Sequence, residues 1–273
     1  MDPESTSMPL ILEPAALHEA LPDDKLLLIA VCQEQVFSAQ HIPGSVLIEP
    51  AELIAGIKPA IGKLPAVEQL SQVFSRAGLT DDSHVIAYDD EGGGWAGRLI
   101  WTLDVLGHRR YSYLDGGLVA WINAAYELST GAAVAEHTDY KASIDRSVIA
   151  DMEEILERLA DADTVIWDAR TAEEFNGSKI TASRNGHIPG AVNLDWLELM
   201  DRQQGLRLKP LAEIARRLEA LGISRGKSII THCQTHHRSG LTYLVGKALG
   251  MNIRAYDGSW SEWGNQPDTP IEI

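Results

Sequence analysis

Two periods of apolar residues alternate along this chain. Short apolar runs fall at Leu26–Val31, Val85–Tyr88, Thr164–Trp167 and Ser228–His232. Polar or glycine-containing turns bound each of them, which is the pattern of a buried strand. Longer stretches between them carry apolar residues three and four apart. Met152, Ile155, Leu156 and Leu159 set that spacing over Ala150–Ala160, and Ile214, Leu218 and Leu221 set it over Leu211–Leu221. Further helical segments are expected at Pro14–Ala20, Val67–Ala77, 96–106 and 239–250. Alternation of this kind predicts an α/β fold, with mostly parallel sheets flanked by helices.

The order of elements comes twice. His41-Ile42-Pro43-Gly44-Ser45 returns as His187-Ile188-Pro189-Gly190-Ala191, 146 residues later. Val85-Ile86-Ala87-Tyr88 matches Ile229-Ile230-Thr231-His232 at an offset of 144, as does Ala77-Gly78-Leu79 with Leu221-Gly222-Ile223. Asp115-Gly116-Gly117 matches Asp257-Gly258-Ser259 at 142. Four blocks in one order, with small drifts in offset, imply two tandem copies of one fold. The expected domains are 8–130 and 144–273, joined by a linker over 131–143 that is poor in large apolar residues.

Charge narrows the partners. The 273 residues carry a formal net charge of −16, which argues against nucleic acid or an anionic membrane surface. No apolar run approaches the roughly 18 residues of a membrane span. The amino terminus is acidic and polar and lacks the features of a secretion signal, so a cytoplasmic location is expected. Cys32 and Cys233 are the only cysteines, which rules out a disulfide framework and suits a reactive thiol in a reducing compartment.

Chemistry concentrates at Thr231-His232-Cys233-Gln234-Thr235-His236-His237-Arg238-Ser239-Gly240. Cys233 sits where a strand ends and a tight loop turns into a helix. Loop amides, the helix start and the basic residues His236, His237 and Arg238 all favour thiolate over thiol. One helix end contributes about 0.3–1 kcal/mol. Lowering a thiol from about 8.5 to about 7 takes roughly 2 kcal/mol, so several of these sources must act together. In the first copy Asp89 stands opposite Cys233, inside Asp89-Asp90-Glu91-Gly92-Gly93-Gly94-Trp95. Three carboxylates cannot stabilise a thiolate, so that half is expected to be silent. The run Gly92 to Gly97 spells a dinucleotide fingerprint, but the acids stand where a pyrophosphate would sit, and no cofactor is expected. His232, Cys233, His236 and His237 lack the spacing of a closed zinc site, so no metal is expected. Cys32 reads as a core residue.

Cysteine phosphatases share a His-Cys-x5-Arg-Ser/Thr loop. Here His232-Cys233 is separated from Arg238-Ser239 by four residues, one too few, and the tighter loop suits a single added sulfur atom. A phosphatase remains an alternative, as does a non-catalytic persulfide carrier.

The two His-Ile-Pro-Gly turns, the single cysteine loop and the ending Tyr256-Asp257-Gly258-Ser259-Trp260-Ser261-Glu262-Trp263 resemble the rhodanese family in its tandem-domain form. The likeness extends from about residue 8 to the end. The loop Cys233–Arg238 is similar to that of a bacterial subgroup reading Cys-Gln-Thr-His-His-Arg, assigned to thiosulfate:cyanide sulfurtransferases. The resemblance implies two rhodanese domains, the first catalytically inactive. It implies transfer of sulfane sulfur from thiosulfate to cyanide or a thiol by double displacement through a Cys233 persulfide. Gln234, Thr235, His236, His237 and Arg238 would then bind the donor. Mercaptopyruvate is the alternative donor, although enzymes for it usually read Cys-Gly-Ser-Gly. Both types typically carry an arginine where this chain has Glu174, four residues after Arg170 of Asp168-Ala169-Arg170. Lys179 or Arg184 is the expected replacement. Asp168 and Arg170 are expected to pair internally, and Trp196 to wall the pocket or pack between the halves.

Overall fold

A computed structural model of the chain describes residues 8–21, 23, 25–132 and 135–273. The first half forms strands β1 (Ile11–Leu12), β2 (Leu26–Val31), β3 (Val46–Ile48), β4 (His84–Tyr88) and β5 (Tyr111–Leu114). Its helices are α1 (Pro14–Ala20), α2 (Glu34–Ala39), α3 (Val67–Arg76), α4 (Gly94–Val105) and α5 (Gly117–Asn123). The second half repeats the plan with β6 (Ile149–Ala150), β7 (Thr164–Asp168), β8 (Val192–Asn193), a short antiparallel ribbon of β9 (Met200–Asp201) and β10 (Arg207–Leu208), then β11 (Ser228–His232) and β12 (Asn252–Tyr256). Its helices are α6 (Met152–Arg158), α7 (Ala172–Phe175), α8 (Leu211–Ala220), α9 (Arg238–Ala248) and α10 (Ser259–Trp263).

The two sheets have one topology. The first runs β1-β5-β4-β2-β3 and the second β6-β12-β11-β7-β8, with every pairing in both parallel. Both are α/β sheets flanked by helices. One boundary differs from expectation. The helix expected from Ala150 begins at Met152, because Ala150 pairs with Tyr256 and Asp151 caps the helix by accepting from the Glu154 N–H at 3.0 Å.

The halves meet through α4 and α9. Both are apolar on nearly all sides, because each lies between its own sheet and the other helix. They touch backbone to backbone: a Cβ on Gly97 would stand 2.3 Å from the Gly240 carbonyl carbon. A single apolar core joins Leu99, Ile100 and Leu103 of α4 to Leu241, Leu244 and Val245 of α9. Within this joint Asp104 is fully buried and accepts from the Tyr243 hydroxyl and the Lys247 ammonium, both at 2.7 Å. Tyr111 adds a third bond at 2.5 Å and Arg109 an ion pair. A buried carboxylate needs such partners.

A second link is made twice. Asp115, after β5, accepts the Leu208 N–H at 2.8 Å; Asp257, after β12, accepts the Leu64 N–H at 3.0 Å. Asp115 thus holds β10 of the second half, and Asp257 a loop of the first. Among the described residues no helix is long and apolar enough to cross a membrane.

Candidate active site

In register, His232 at the end of β11 stands beside Asp168 at the end of β7. Cys233 follows at the carboxyl edge of the sheet, where open parallel sheets place their ligand sites. Its thiol is fully buried. The backbone beyond it is clamped by α10. The Trp260 N–H donates to the Cys233 carbonyl and the Ser261 N–H to the Gln234 carbonyl, both at 2.9 Å. The Ser259 hydroxyl accepts the Cys233 N–H at 3.4 Å and donates to the Tyr256 carbonyl at 2.9 Å. Loop carbonyls are therefore turned toward α10. Among the described residues no protein acceptor takes the N–H groups of Gln234, Thr235, His236 or His237.

Burial alone pushes the Cys233 thiol up. The Arg238 guanidinium, the Ser239 hydroxyl and N–H, and His237 outweigh it, and the net shift is downward. Cys32 shows the opposite balance. Burial and then the charges of Asp90 and Asp89 push it up to about 12, as suits a core thiol. Both cysteines are free.

The other loop residues find separate partners. Gln234 is tied to Thr181: its amide donates to the Thr181 carbonyl at 2.9 Å and its oxygen accepts the Thr181 hydroxyl at 2.8 Å. Thr235 rests on the first half, where a Cβ on Gly62 would stand 2.2 Å from its carbonyl oxygen. His236 is fully buried, with Nδ1 2.7 Å from Ser239 Oγ and its ring edge-on to Trp101. His237 pairs with Glu91, stacks on Trp95 at 4.5 Å and meets Trp196 edge-on. His232 points behind the loop, with Nε2 3.6 Å from Asp168. The histidines face different ways, so they do not converge on one ion.

Arg238 is bound to Glu174 by two prongs, at 2.6 and 2.9 Å. Asp168 and Arg170 form a fully buried pair at 2.6 Å, with Arg170 also donating to the Gly186 carbonyl and lying 4.4 Å over the Trp260 ring. Arg184 is not brought to the loop by its bonds. It donates to the carbonyls of Trp263, Gln266, Pro267 and Thr269 and so fastens the carboxyl-terminal segment. Lys179 is exposed beside Glu173.

The first-half loop has the same length, although the residue before the helix differs in backbone, Gly93 at φ +97° against His237 at φ −92°. Asp89 Oδ1 accepts three N–H groups, from Glu91, Gly92 and Gly93, at 3.2, 3.1 and 2.9 Å, and Oδ2 accepts that of Ala96 at 3.0 Å. By the 144-residue offset the first three correspond to Thr235, His236 and His237. The left-handed backbone of Gly92 (φ +100°) recurs at His236 (φ +55°), and that of Gly117 (φ +53°) at Ser259 (φ +53°). Non-glycine residues held in this region concentrate at functional sites.

The family model for the rhodanese-like domain matches this chain twice, over residues 13–124 and 151–266. The chain belongs to the rhodanese family. It is 46% identical over 268 residues to a thiosulfate sulfurtransferase of Azotobacter vinelandii, covering 98% of each chain. It is 44% identical over 269 residues to a thiosulfate sulfurtransferase of Pseudomonas aeruginosa, again over 98% of each. The fold also matches the anaerobic ergothioneine biosynthesis enzyme from Chlorobium limicola, with a TM-score of 0.85 at 18% identity, over 97% of this chain and 70% of that one.

Several residues of this rhodanese site escape sequence reasoning. Glu91, Trp95, Arg98 and Trp101 belong to the half without the loop cysteine, and no local pattern links them to the loop. Glu174 reads in the sequence as a lost cation and is instead the partner of Arg238. The Thr171-x-x-Glu174 spacing of a capping box, which the structure contains, was the available hint that Glu174 is anchored.

Proposed function

We propose that this rhodanese moves sulfane sulfur from thiosulfate to cyanide or a thiol acceptor through a persulfide on Cys233. The Cys233 thiolate attacks the outer sulfur of thiosulfate, the S–S bond to the sulfonate breaks, and sulfite leaves with the electron pair. The acceptor nucleophile then attacks the outer persulfide sulfur, and Cys233 departs as thiolate again. No proton moves in either step, so the site needs anion stabilisation and not a general base.

The observation that carries this reading is the contrast between the two loops. In the first half a carboxylate oxygen, two bonds beyond Cβ, receives three converging amides. The outer sulfur of a Cys233 persulfide is also two bonds beyond Cβ, and the matching amides of Thr235, His236 and His237 have no protein acceptor among the described residues. The second loop thus suits a terminal sulfur anion, whereas Asp89 fills its own loop and leaves the first half silent. Glu174 neutralises Arg238, and Arg184 faces carbonyls, so a carboxylate-bearing donor such as mercaptopyruvate finds neither guanidinium free. Anionic thiosulfate would likewise find neither free, so the donor is assigned from the two thiosulfate sulfurtransferase relatives. With the chain at −16, a nucleic-acid partner is disfavoured, and two unbridged cysteines suit the cytoplasm.

Intact mass after incubation with thiosulfate tests the proposal. A gain of about 32 Da that cyanide removes, and that Cys233→Ala abolishes, is expected. Loading by mercaptopyruvate but not thiosulfate would reassign the donor. Hydrolysis of an aryl phosphate without sulfur loading would point to a phosphatase. A stable persulfide without turnover would make the protein a carrier.

A further inference from the structure

The amino edge of the first sheet, opposite the edge that leads into Asp89, borders a cavity of about 780 Å³. Carboxylates outnumber lysines and arginines 39 to 23 in the whole chain. The cavity reverses that balance: Lys25, Arg109, Arg110 and Lys247 line it with His84, against one lining carboxylate, Asp23. Salt screens charges more than about 8 Å apart at physiological ionic strength, so this local balance, and not the net charge of −16, sets the field inside.

The other carboxylates that pair with these cations do not line the cavity. Asp104 is fully buried, and its single charge is shared between Lys247 at 2.7 Å and Arg109. Tyr111 and Tyr243 donate to the same carboxylate at 2.5 and 2.7 Å. Asp104 therefore fixes two cations at the wall from below. Asp82 meets Arg110 at 3.6 Å with its own side chain 98% exposed, and Asp145 meets Arg109 at 3.2 Å while 42% exposed. Exposed pairs of this kind contribute about 0–1 kcal/mol, so a ligand oxygen displaces them at little cost.

We propose that this cavity binds a small organic phosphate ester carrying at least two negative charges. Four permanent cations exceed what one carboxylate can answer, whereas each phosphate brings close to two charges. The planar forks of Arg109 and Arg110 suit paired contacts to phosphate oxygens, and Lys25 and Lys247 add point charges. Leu10, Leu26 and the Tyr111 ring lie in the same wall and can cover an apolar body, which a bare inorganic anion lacks. The volume falls within the roughly 300–1,000 Å³ of small-molecule sites. Lys247 stands in the last turn of α9 and Arg238 in its first, about 14 Å apart along the axis, so the cavity is separate from the Cys233 loop. A ligand here binds whether or not thiosulfate is the sulfur donor. Lys247 comes from the second half and the other cations from the first, so an occupant also ties the halves together.

Calorimetric titration of the full chain with inorganic pyrophosphate and with ADP, in the absence of divalent metal, tests the proposal. Pyrophosphate supplies the charges alone, and ADP adds an organic body. One-to-one saturable binding of both is expected, with ADP about threefold tighter or better. Arg110→Ala and Lys25→Ala remove exposed side chains and leave Asp104 and its partners in place. Each should weaken ADP about tenfold, and Arg110→Lys less, because the charge remains. The thermal midpoint should rise with ADP in the parent and stay level in the double alanine variant, whose unliganded midpoint confirms that it folds. Lys58→Ala, an exposed lysine of the loop that sets Gly62 against Thr235, should bind as the parent does. No saturable binding of either probe at millimolar concentration, or full affinity in the double alanine variant, would overturn the proposal. So would an equal loss in Lys58→Ala, which would mean unspecific attraction to charge, or ADP no tighter than pyrophosphate, which would leave the apolar wall without a role.

Discussion

Arg238 and Glu174 face each other fork to fork, Nη1 to Oε2 at 2.6 Å and Nη2 to Oε1 at 2.9 Å. The pair ties the start of α9 to α7 and fixes the cation that most favours the Cys233 thiolate. Burial pushes the Glu174 carboxyl up, but Arg238 outweighs it and the net shift is downward. A carboxyl depressed in the folded state stabilises the protein above its unfolded value of about 4.3, and that contribution is lost as pH falls through the folded value. Side-chain exposure is only 16% for Arg238 and 3% for Glu174, so solvent screens the pair little. Glu174→Gln should cost about 1.5–3 kcal/mol at pH 7 and less at pH 3, below the unfolded value, where the advantage of the charged carboxylate is already being lost. Urea unfolding at the two pH values checks this. Equal stability of parent and variant at pH 7 would remove the brace.

The crossing of α4 and α9 sets where that helix start lies. Gly97→Ala would place its Cβ 2.3 Å from the Gly240 backbone, which cannot move aside as a flexible side chain could. The helices must separate, and Ser239 with Arg238 moves with α9. We expect a loss of about 1–3 kcal/mol in stability, together with slower alkylation of Cys233. A control at the exposed Gly107 of the same half is unsuitable, because its left-handed φ of +76° adds backbone strain. Gln72→Ala, on the exposed face of α3, serves instead and should change neither measurement. Unaltered stability in Gly97→Ala would show that the two helices have room to spare.

How legible was this in the sequence? The repeat was, because each copy keeps the same strand order and the 144-residue offset places Cys233 on Asp89. The long elements were, because Ile214 and Leu218 of α8, or Leu70 and Val73 of α3, mark one buried helix face. Strands such as β8 and β6 were not, since two residues carry no period. The cysteine loop was legible as chemistry because a thiol at a strand end beside basic residues is locally recognisable. The cancellation of Arg238 by Glu174, 64 residues away, was not, nor was the use of Arg98 and Trp101 under His236. The first link is made within the second half and the other between the halves, and no local pattern records either. The glycines from Gly92 to Gly97 illustrate the same point. They spell a phosphate motif, yet Gly94 makes room for the His237 ring and Gly97 for α9.

Restoring a thiol to the first half tests why that half is silent. Asp89→Cys places sulfur at the centre of a loop of the right length, but Asp90 and Glu91 remain beside it and no arginine begins α4. Two neighbouring carboxylates disfavour a thiolate, as Asp90 and Asp89 already do for Cys32. In a Cys32→Ala, Cys233→Ala background this cysteine should react slowly with iodoacetamide and take up no sulfur from thiosulfate. Rapid alkylation near neutral pH would mean that the loop amides suffice and that only the missing sulfur atom silences the domain.

The reciprocal link between the halves has a pH signature. Burial raises the Asp115 carboxyl to about 6, against the bond from the Leu208 N–H, which lowers it. Its unfolded value is about 3.9, so between about pH 4 and 6 the native state holds a proton that the unfolded chain has released. Stability from this group therefore falls as pH rises through that window, by up to about 3 kcal/mol. Asp115→Asn keeps an oxygen for the Leu208 N–H and cannot ionise. It should match the parent near pH 4 and exceed it at pH 7, with the difference opening across the window when unfolding by urea is followed against pH. A constant gap between the two proteins at every pH would mean that Asp115 titrates normally and that its bond to Leu208 carries no ionisation cost.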